Sequence, residues 1–363
     1  MAGFVERTGV DPERAGSRYL WTDAFALCNL LALARATGEP RWSELALRLV
    51  ERVHGVLGRH RPDDVRRGWL SGLGEQDGAA HPTRGGLRIG KRLPERQPRE
   101  PFDERLEWDR DGQYFHYLTK WMHALDQLAR ATREPLFNRL ARELAVTAHV
   151  RFCFRPRASE APRMFWKMSI DLTRPLVASM GQHDPIDGFI TCAELAATAE
   201  ELGDTANEPC VETALSDFAA MLEGSDLRSA DPLGLGGLLS DAYRWLQLLE
   251  RGSWEDAGLA ERMLAAVREG LAYYVARGEL RAPTSHRLAF RELGLAIGLA
   301  TATRHPRLAA FTEYVPLREH IVAFWLDPAN RRSTSWTEHL DINEVMLATS
   351  LLPDGFLELA SEG

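Results

Sequence analysis

The sequence repeats an eight-residue segment that ends in proline. Residues 33–40 read LARATGEP, residues 128–135 read LARATREP, and residues 299–306 read LATATRHP. In each copy a long apolar segment precedes the proline and a more charged segment follows it. Proline disfavours helical conformation in the residue before it and is well suited to begin a helix. The repeat therefore predicts helical hairpins whose second helix begins at or near the proline.

The same pattern, extended along the chain, predicts about six hairpins in a single domain over residues 1–363. The paired segments are 20–37 with 42–57, 113–132 with 136–152, 188–202 with 209–222, 236–250 with 254–276, 285–303 with 308–325, and 337–350 with either 356–360 or the N-terminal segment. A long inserted loop is predicted near residues 60–106. No segment alternates as a strand domain would, which argues against a barrel of parallel strands.

The two helices of each predicted hairpin differ in polarity. Residues 294–300 read GLAIGLA, which is apolar on nearly every side, whereas residues 260–277 show one apolar stripe and one charged face. A helix that is apolar all round must be covered on most sides. We therefore expect the first helices to form an inner ring and the second helices to lie outside it.

Composition excludes several classes of partner. The net charge of −8 gives no electrostatic reason to expect nucleic acid or an anionic membrane. No apolar run approaches the roughly 18 residues of a membrane helix, and the N-terminal residues lack a signal core. Four dispersed cysteines without a CxxC pair favour a reducing cytoplasm over a zinc site. We expect no metal and no cofactor, and the sequence leaves the oligomeric state open.

The hairpin number and turns such as ATGEPRW at 36–42 resemble the six-hairpin α/α toroid shared by many glycosidases, polysaccharide lyase relatives and the N-acylglucosamine 2-epimerase family. The resemblance covers most of the chain and implies an all-α (α/α)6 toroid that acts on a small sugar or an oligosaccharide. The epimerase relatives use paired histidines with an arginine and a glutamate nearby. That local motif is not reproduced in this chain, so no residue role is carried over.

In such a ring the N-terminal ends of the inner helices converge on one funnel, and residues 107–123 contain the first polar cluster expected there. Asp109 and Asp111 are candidate catalytic carboxylates. The candidate substrate-binding residues of this cluster are Trp108, Tyr114, His116 and Lys120. Because His116, Lys120 and His123 follow one another at steps of four and three, they share one helix face, which favours a polar lumen. The structural alternative is a helix cap and ordinary core aromatics.

The second cluster, at residues 181–188, offers His183 with Asp184 or Asp187 as an acid–base group, although a turn followed by a cap would need the same residues. Two further clusters lie at residues 283–292 and 334–344. They supply His339 as a candidate catalytic residue and His286, Arg291, Trp336 and Glu338 as candidate substrate-binding residues. Helix capping and ion pairing are the structural alternatives at these positions.

Three functions fit these candidates. A glycoside hydrolase acting through paired carboxylates, drawn from Asp109, Asp111 and Asp187, is the main hypothesis. A sugar epimerase or isomerase using histidines to move a proton beside a carbonyl is the first alternative. A non-catalytic glycan-binding toroid is the second.

Overall fold

The computed structural model describes residues 1–10, 17–157, 160–205, 209–254 and 256–359. The contacts cluster in two compact units. The first unit comprises residues 5–27 and 39–225, and the second comprises residues 1–4, 28–38 and 226–360. Residue 360, at the end of the predicted last hairpin, lies outside the described residues. The single domain predicted over residues 1–363 stays a prediction.

Helices make up most of both units. In chain order they are α1 Ala2–Arg7, α2 Leu20–Thr37, α3 Pro40–Leu57, α4 Glu75–Ala80, α5 Glu104–Asp109, α6 Phe115–Thr132, α7 Pro135–Phe152, α8 Asp184–Glu201, α9 Glu212–Leu222, α10 Pro232–Glu250, α11 Ala257–Arg277, α12 Ala289–Leu299, α13 Val315–Leu326, α14 Thr334–Thr337, α15 Leu340–Leu351 and α16 Asp354–Leu357. Within the described residues, none of these helices has the length and apolar content that crossing a bilayer requires.

Four of the six predicted hairpins are observed as packed helix pairs among the described residues. In the first unit α6 packs against α7 and α8 against α9, and in the second unit α10 packs against α11 and α12 against α13. The proline of the repeat is the first residue of α3 and of α7, as predicted. Gly38 and Arg133 occupy equivalent turn positions, with φ values of +68° and +59°. The first two copies of the repeat thus end their helix with the same left-handed residue, which glycine adopts at no steric cost.

The third copy of the repeat behaves differently. Arg304 has a φ of −99°, and a 3-10 turn over Ala300–Thr303 ends the helix instead. The predicted helix at 285–303 was too long, because a 3-10 turn at Thr284–His286 is separated from the start of α12 by extended residues. Its partner begins as a 3-10 segment, Pro306–Tyr314, before becoming α13.

Short strands, which the sequence did not predict, lie immediately before the second hairpin and between the second and third hairpins. They are β1 Gln113–Tyr114, β2 Cys153–Phe154, β3 Arg163–Met164, β4 Lys167–Met168 and β5 Pro175–Val177. β4 pairs antiparallel with both β1 and β5, and β2 pairs with β3. With two or three residues each, these strands are too short to leave an alternating pattern in the sequence. The β1–β4 pairing connects the start of α6 to residues fifty positions further along the chain.

In the second unit, α10 and α12 approach each other so closely that only glycine fits at the contact. A Cβ atom added at Gly236 would lie 2.1 Å from the carbonyl oxygen of Gly294, and one added at Gly298 would lie 2.5 Å from the carbonyl oxygen of Gly236. Because the obstructing atoms are backbone, no side-chain rotation relieves the clash.

Gly236→Ala should therefore destabilise the protein by about 1–3 kcal/mol, the usual cost of overpacking. Gly237 is the matched control, since a Cβ atom there meets nothing within 4 Å. Gly237→Ala should be neutral or stabilise by up to about 1 kcal/mol, because alanine is the better helix former. Chemical denaturation of both variants measures the difference. Equal free energies of unfolding would contradict the proposed helix contact.

Candidate active site

A series of polar contacts joins α6 to α8 inside the first unit. The Lys120 ammonium lies 2.6 Å from Asp187 Oδ1, and His123 Nδ1 lies 2.8 Å from Glu194 Oε1. Nearer the C-terminal ends of the helices, an Arg130 guanidinium nitrogen donates to a Glu201 carboxylate oxygen at 3.1 Å. Residue numbers rise together on both helices, so the two helices run parallel. The helix face predicted to carry His116, Lys120 and His123 is therefore the face that meets α8.

The contact at the N-terminal ends of the two helices, between His116 and Asp184, is not closed by a hydrogen bond. His116 Nδ1 lies 3.7 Å from Asp184 Oδ1, which is beyond hydrogen-bond distance. Both His116 Nδ1 and Asp184 Oδ2 are buried without a hydrogen-bond partner in the described part of the chain. Buried polar atoms are nearly always hydrogen-bonded, and exceptions often mark functional groups. This pair is consequently the strongest candidate for chemistry in the first unit.

Burial sets the protonation of both members of the pair. It lowers the pKa of His116 to about 4, and the positive charges of Lys120 and Lys91 act in the same direction against an opposing effect of Asp187. The pKa of Asp184 is raised to about 8, mainly by burial and also by the neighbouring Asp187 carboxylate, against the opposing effects of Lys120 and of a hydrogen bond from the Gly181 backbone. Between these two values the pair holds a neutral imidazole and a protonated carboxyl. A proton donor and a proton acceptor thus lie side by side at neutral pH.

One nitrogen of His116 remains available to a ligand. The side chain is 26% exposed although Nδ1 is buried, which leaves Nε2 as the ring nitrogen that can meet a substrate. Asp184 lies behind the opposite nitrogen, so its carboxyl can set the tautomer of the ring. Gly181 leaves room for this carboxyl, because a Cβ atom there would lie 2.4 Å from Asp184 Oδ2.

Aromatic rings surround His116. Trp166 stacks on it with ring centroids 6.0 Å apart at 12°, and Tyr114 lies 5.3 Å away. Trp108 contacts Trp166 edge-on at 5.3 Å and is 44% exposed. Trp21 completes the group from α2, with its ring 6.1 Å from His116. Flat rings beside a few converging polar groups are typical of small-molecule sites.

The short strands explain how Trp166 reaches this group. Tyr114 in β1 pairs with Lys167 in β4, and the Phe115 backbone N–H donates to the Trp166 carbonyl oxygen at 3.4 Å. This pairing sets Trp166 beside the first turn of α6. A contact made by two-residue strands leaves no local signal, so the sequence alone does not indicate that Trp166 meets His116.

The three lysines of the chain form a second signal that sequence reasoning missed. Of 44 lysine and arginine residues, only Lys91, Lys120 and Lys167 are lysine. Lys120 pairs with Asp187, Lys167 Nζ lies 5.2 Å from the centre of the Tyr114 ring, and Lys91 Nζ lies 5.6 Å from that of Trp108. In a chain that otherwise uses arginine for positive charge, all three lysines contact this one cluster.

Asp111 and Asp187, two of the predicted catalytic carboxylates, are already fully engaged. Asp111 Oδ2 accepts from Arg88 at 2.6 Å and Arg61 at 3.1 Å, and its other oxygen accepts from backbone N–H groups. Asp187 accepts from Lys120 and, at 2.5 Å, from the Thr119 hydroxyl. These contacts favour a structural role for Asp111, which fastens residues 61–90 to the start of α6, and a positioning role for Asp187.

The other predicted residues of the first unit differ in placement. Asp109 is exposed at the end of α5. His183 is half-buried immediately before α8, where its carbonyl oxygen accepts from the Asp187 backbone N–H at 3.0 Å. The clusters predicted at residues 107–123 and 181–188 are thus brought together, with Asp184 rather than Asp187 facing His116.

The remaining candidates belong to the second unit. Arg291 pairs with Asp231 at 2.6 Å, and Trp336 is buried in a stack on Trp325 with centroids 5.6 Å apart. Exposed side chains are found at His286, Glu338 and His339. Within the described residues, no side-chain hydrogen bond or ion pair joins these five candidates to one another, although the His339 backbone N–H donates to the Trp336 carbonyl oxygen at 3.2 Å. Their catalytic and binding roles stay predictions.

A separate depression of the first unit, about 430 Å³ in volume, has charged walls. Arg66 at its centre pairs with Asp64, Glu95 and Asp171 at 2.6–2.7 Å. Asp64, Glu95 and Asp171 are thus all engaged with Arg66, so none of these four groups is left unpaired to recognise a ligand. Within the described residues, no group of three or more potential ligands could hold a metal ion.

The comparisons with known proteins agree with this fold. No protein-family model matches the chain, and no curated protein matches it. Among solved structures it is similar to cellobiose 2-epimerase from Spirochaeta thermophila DSM 6192, with a TM-score of 0.54 and 13% identity over 94% of this chain and 87% of that one. The likeness confirms the predicted all-α, α/α-toroid fold.

The raised pKa of Asp184 predicts an unusual pH dependence of stability. Between its unfolded value of 3.8 and its folded value of about 8, the folded protein holds a proton that the unfolded chain has lost, so stability falls as the pH rises through this window. Because Asp184→Asn cannot ionise, the wild type should lose about 2 kcal/mol of stability relative to this variant between pH 6.5 and 9, at about 1.4 kcal/mol per pH unit below the folded pKa. Denaturation of both proteins from pH 6.5 to 9 tests this, and parallel curves would show that the carboxyl is not buried in protonated form.

Removing Asp187, the partner of Lys120, should lower the free energy of unfolding. Asp187→Ala leaves a buried ammonium unpaired, which costs about 3–5 kcal/mol. Glu160→Ala, which breaks the exposed Arg157–Glu160 pair, is the control and should cost less than about 1 kcal/mol. Urea denaturation distinguishes the two, and similar losses would rule out a special role for the Lys120–Asp187 contact.

Proposed function

We propose that this protein is a sugar epimerase or isomerase that moves a proton at the carbon beside the carbonyl of an open-chain sugar. The observation that carries the proposal is the His116–Asp184 pair, a neutral imidazole and a protonated carboxyl 3.7 Å apart beneath a group of aromatic rings. The structural similarity to a protein named as a cellobiose 2-epimerase supports a sugar substrate.

The pair supports proton transfer in both directions. With Asp184 ionised and the ring proton on Nδ1, Nε2 of His116 is free to accept a proton from carbon. With Asp184 protonated and donating to Nδ1, Nε2 carries a proton that it can return. Closing the 3.7 Å gap between Nδ1 and Oδ1 when substrate binds would form the hydrogen bond that links these two states. The faces of Trp166 and Trp108 would cover the C–H faces of the sugar.

The carboxylates favour this proposal over glycoside hydrolysis. A hydrolase needs two carboxyl groups that flank the scissile bond and remain free to act on it. Asp111 and Asp187 have their oxygens occupied by cations and hydroxyl or backbone donors, and Asp109 is exposed. A protein that merely bound glycans would gain nothing from burying Asp184 with one carboxyl oxygen unsatisfied, since that burial lowers stability at neutral pH.

The pH dependence of catalysis follows from the same pair. Because Nε2 acts as a base only when Asp184 is ionised, proton abstraction should rise with pH through about 8. Solvent deuterium incorporation at C2 of reducing hexoses and disaccharides, followed by NMR from pH 6 to 10, measures this step. His116→Gln should reduce the rate by about 10²–10⁴-fold. Asp184→Asn should lower the rate and abolish the inflection near pH 8.

The control for these variants is His320→Gln, which alters an exposed histidine of the second unit and should leave exchange unchanged. Reducing-end release is measured in parallel. Release of new reducing ends without deuterium exchange would overturn the proposal in favour of hydrolysis. Wild-type exchange that survives His116→Gln would remove His116 from the mechanism.

A further inference from the structure

Lys91 lies at the outer end of the aromatic row that leads to His116. Its ammonium donates to the Trp108 carbonyl oxygen and lies 5.6 Å from the centre of the Trp108 ring. Trp108 contacts Trp166, and Trp166 stacks on His116. The charge of Lys91 is also near enough to His116 to lower the pKa of the imidazole. An amine and an acid–base pair thus border the same half-exposed aromatic surface.

The ammonium group of Lys91 has N–H donors that no acceptor among the described residues occupies. An ammonium group has three N–H donors, and the Trp108 carbonyl is the one acceptor found for it among the described residues. No carboxylate of the described residues forms an ion pair with it. Lys167, by contrast, is fully occupied by the Glu107 carboxylate at 2.9 Å and by two backbone carbonyl oxygens.

The surroundings of Lys91 favour its neutral form. The pKa of Lys91 is lowered to about 8, mainly by burial and also by the positive charge of Lys167. The carboxylates of Asp109 and Asp111 act in the opposite direction. A lysine beside another cation in a partly desolvated site is a recognised form of activated amine nucleophile. Arginine, which this chain uses almost everywhere else, cannot lose its proton in this range.

We propose that Lys91 forms an imine with the carbonyl carbon of the sugar substrate, so that the protein activates its substrate covalently. This inference rests on the proposed sugar epimerase or isomerase function and adds a nucleophile to it. The geometry that supports it is an accessible amine at one end of an aromatic surface whose other end is the His116–Asp184 pair.

The chemical step balances without any other reactant. The Nζ lone pair attacks the aldehyde or ketone carbon, the C–N bond forms, and the carbonyl oxygen becomes a hydroxyl after proton transfer from nitrogen. His116, carrying a proton on Nε2, protonates this hydroxyl, which leaves as water as the C=N bond forms. The resulting iminium draws electrons from the neighbouring carbon, whose proton Nε2 of His116 then accepts. Return of the proton and addition of water release the sugar and regenerate Lys91.

Reductive trapping tests the proposal directly. The full-length protein is incubated with a reducing hexose and sodium cyanoborohydride, which reduces an imine to a stable secondary amine. Intact mass and peptide mapping should then show one hexose attached at Lys91, saturating with hexose concentration. Because the chain has only three lysines, Lys120 and Lys167 serve as internal controls for non-specific reaction.

Two variants separate amine chemistry from charge. Lys91→Arg keeps the positive charge but cannot form the imine, and Lys91→Met removes both properties. Both should lose the label and at least about 100-fold of the deuterium exchange rate, with thermal unfolding close to the wild type because Lys91 is half-exposed. If Lys91→Arg retains exchange within about threefold, or if wild-type Lys91 stays unlabelled during exchange, the proposal is overturned while the epimerase or isomerase function stands. Labelling of Lys91 without C2 exchange supports the amine chemistry and overturns the proposed function.

Discussion

The burial of charged side chains between α6 and α8 is the constraint on which the first unit depends. These helices must each place polar residues on a face that the fold covers, and a buried charge is tolerated only with a partner. Lys120 pairs with Asp187 and His123 pairs with Glu194, both at hydrogen-bond distance. These contacts fix the register of the two parallel helices. They thereby determine which residues meet at the N-terminal ends, where the helix pair borders the aromatic group.

The contact at that end, between His116 and Asp184, lowers the stability of the folded protein, whereas the Lys120–Asp187 and His123–Glu194 contacts raise it. An unsatisfied buried donor or acceptor costs about 1–3 kcal/mol. A protein retains such a cost where the group acts on a ligand. The same burial that destabilises the pair raises the pKa of Asp184 to about 8 and lowers that of His116 to about 4, so that the carboxyl rather than the imidazole holds the proton at neutral pH. The face on which α6 meets α8 therefore carries both the stabilising polar contacts and the proposed acid–base pair.

Much of the fold could be predicted from the sequence because it is encoded locally. Proline after a long apolar segment marks the hairpin turns at Pro40 and Pro135, and the spacing of His116, Lys120 and His123 predicted a polar helix face that exists. The features that the sequence did not predict depend on contacts between residues that are far apart in the chain. Trp166 reaches His116 through two-residue strands, and the saturation of Asp111 by Arg61 and Arg88 depends on a loop that no periodicity describes. Charge alone cannot show whether a carboxylate is free or already engaged.

The proposed chemistry requires that His116 and Asp184 form a buried pair in which the carboxyl, not the imidazole, holds the proton at neutral pH. Nitrogen-15 NMR of histidine-labelled protein observes this protonation state directly. We predict that the His116 ring stays neutral from pH 5 to 7.5 and that its nitrogen shifts report the titration of Asp184 near pH 8, a response that Asp184→Asn abolishes. An imidazole that instead becomes protonated near its ordinary pKa of 6.5, in the wild type and the variant alike, would show that the carboxyl does not hold the proton.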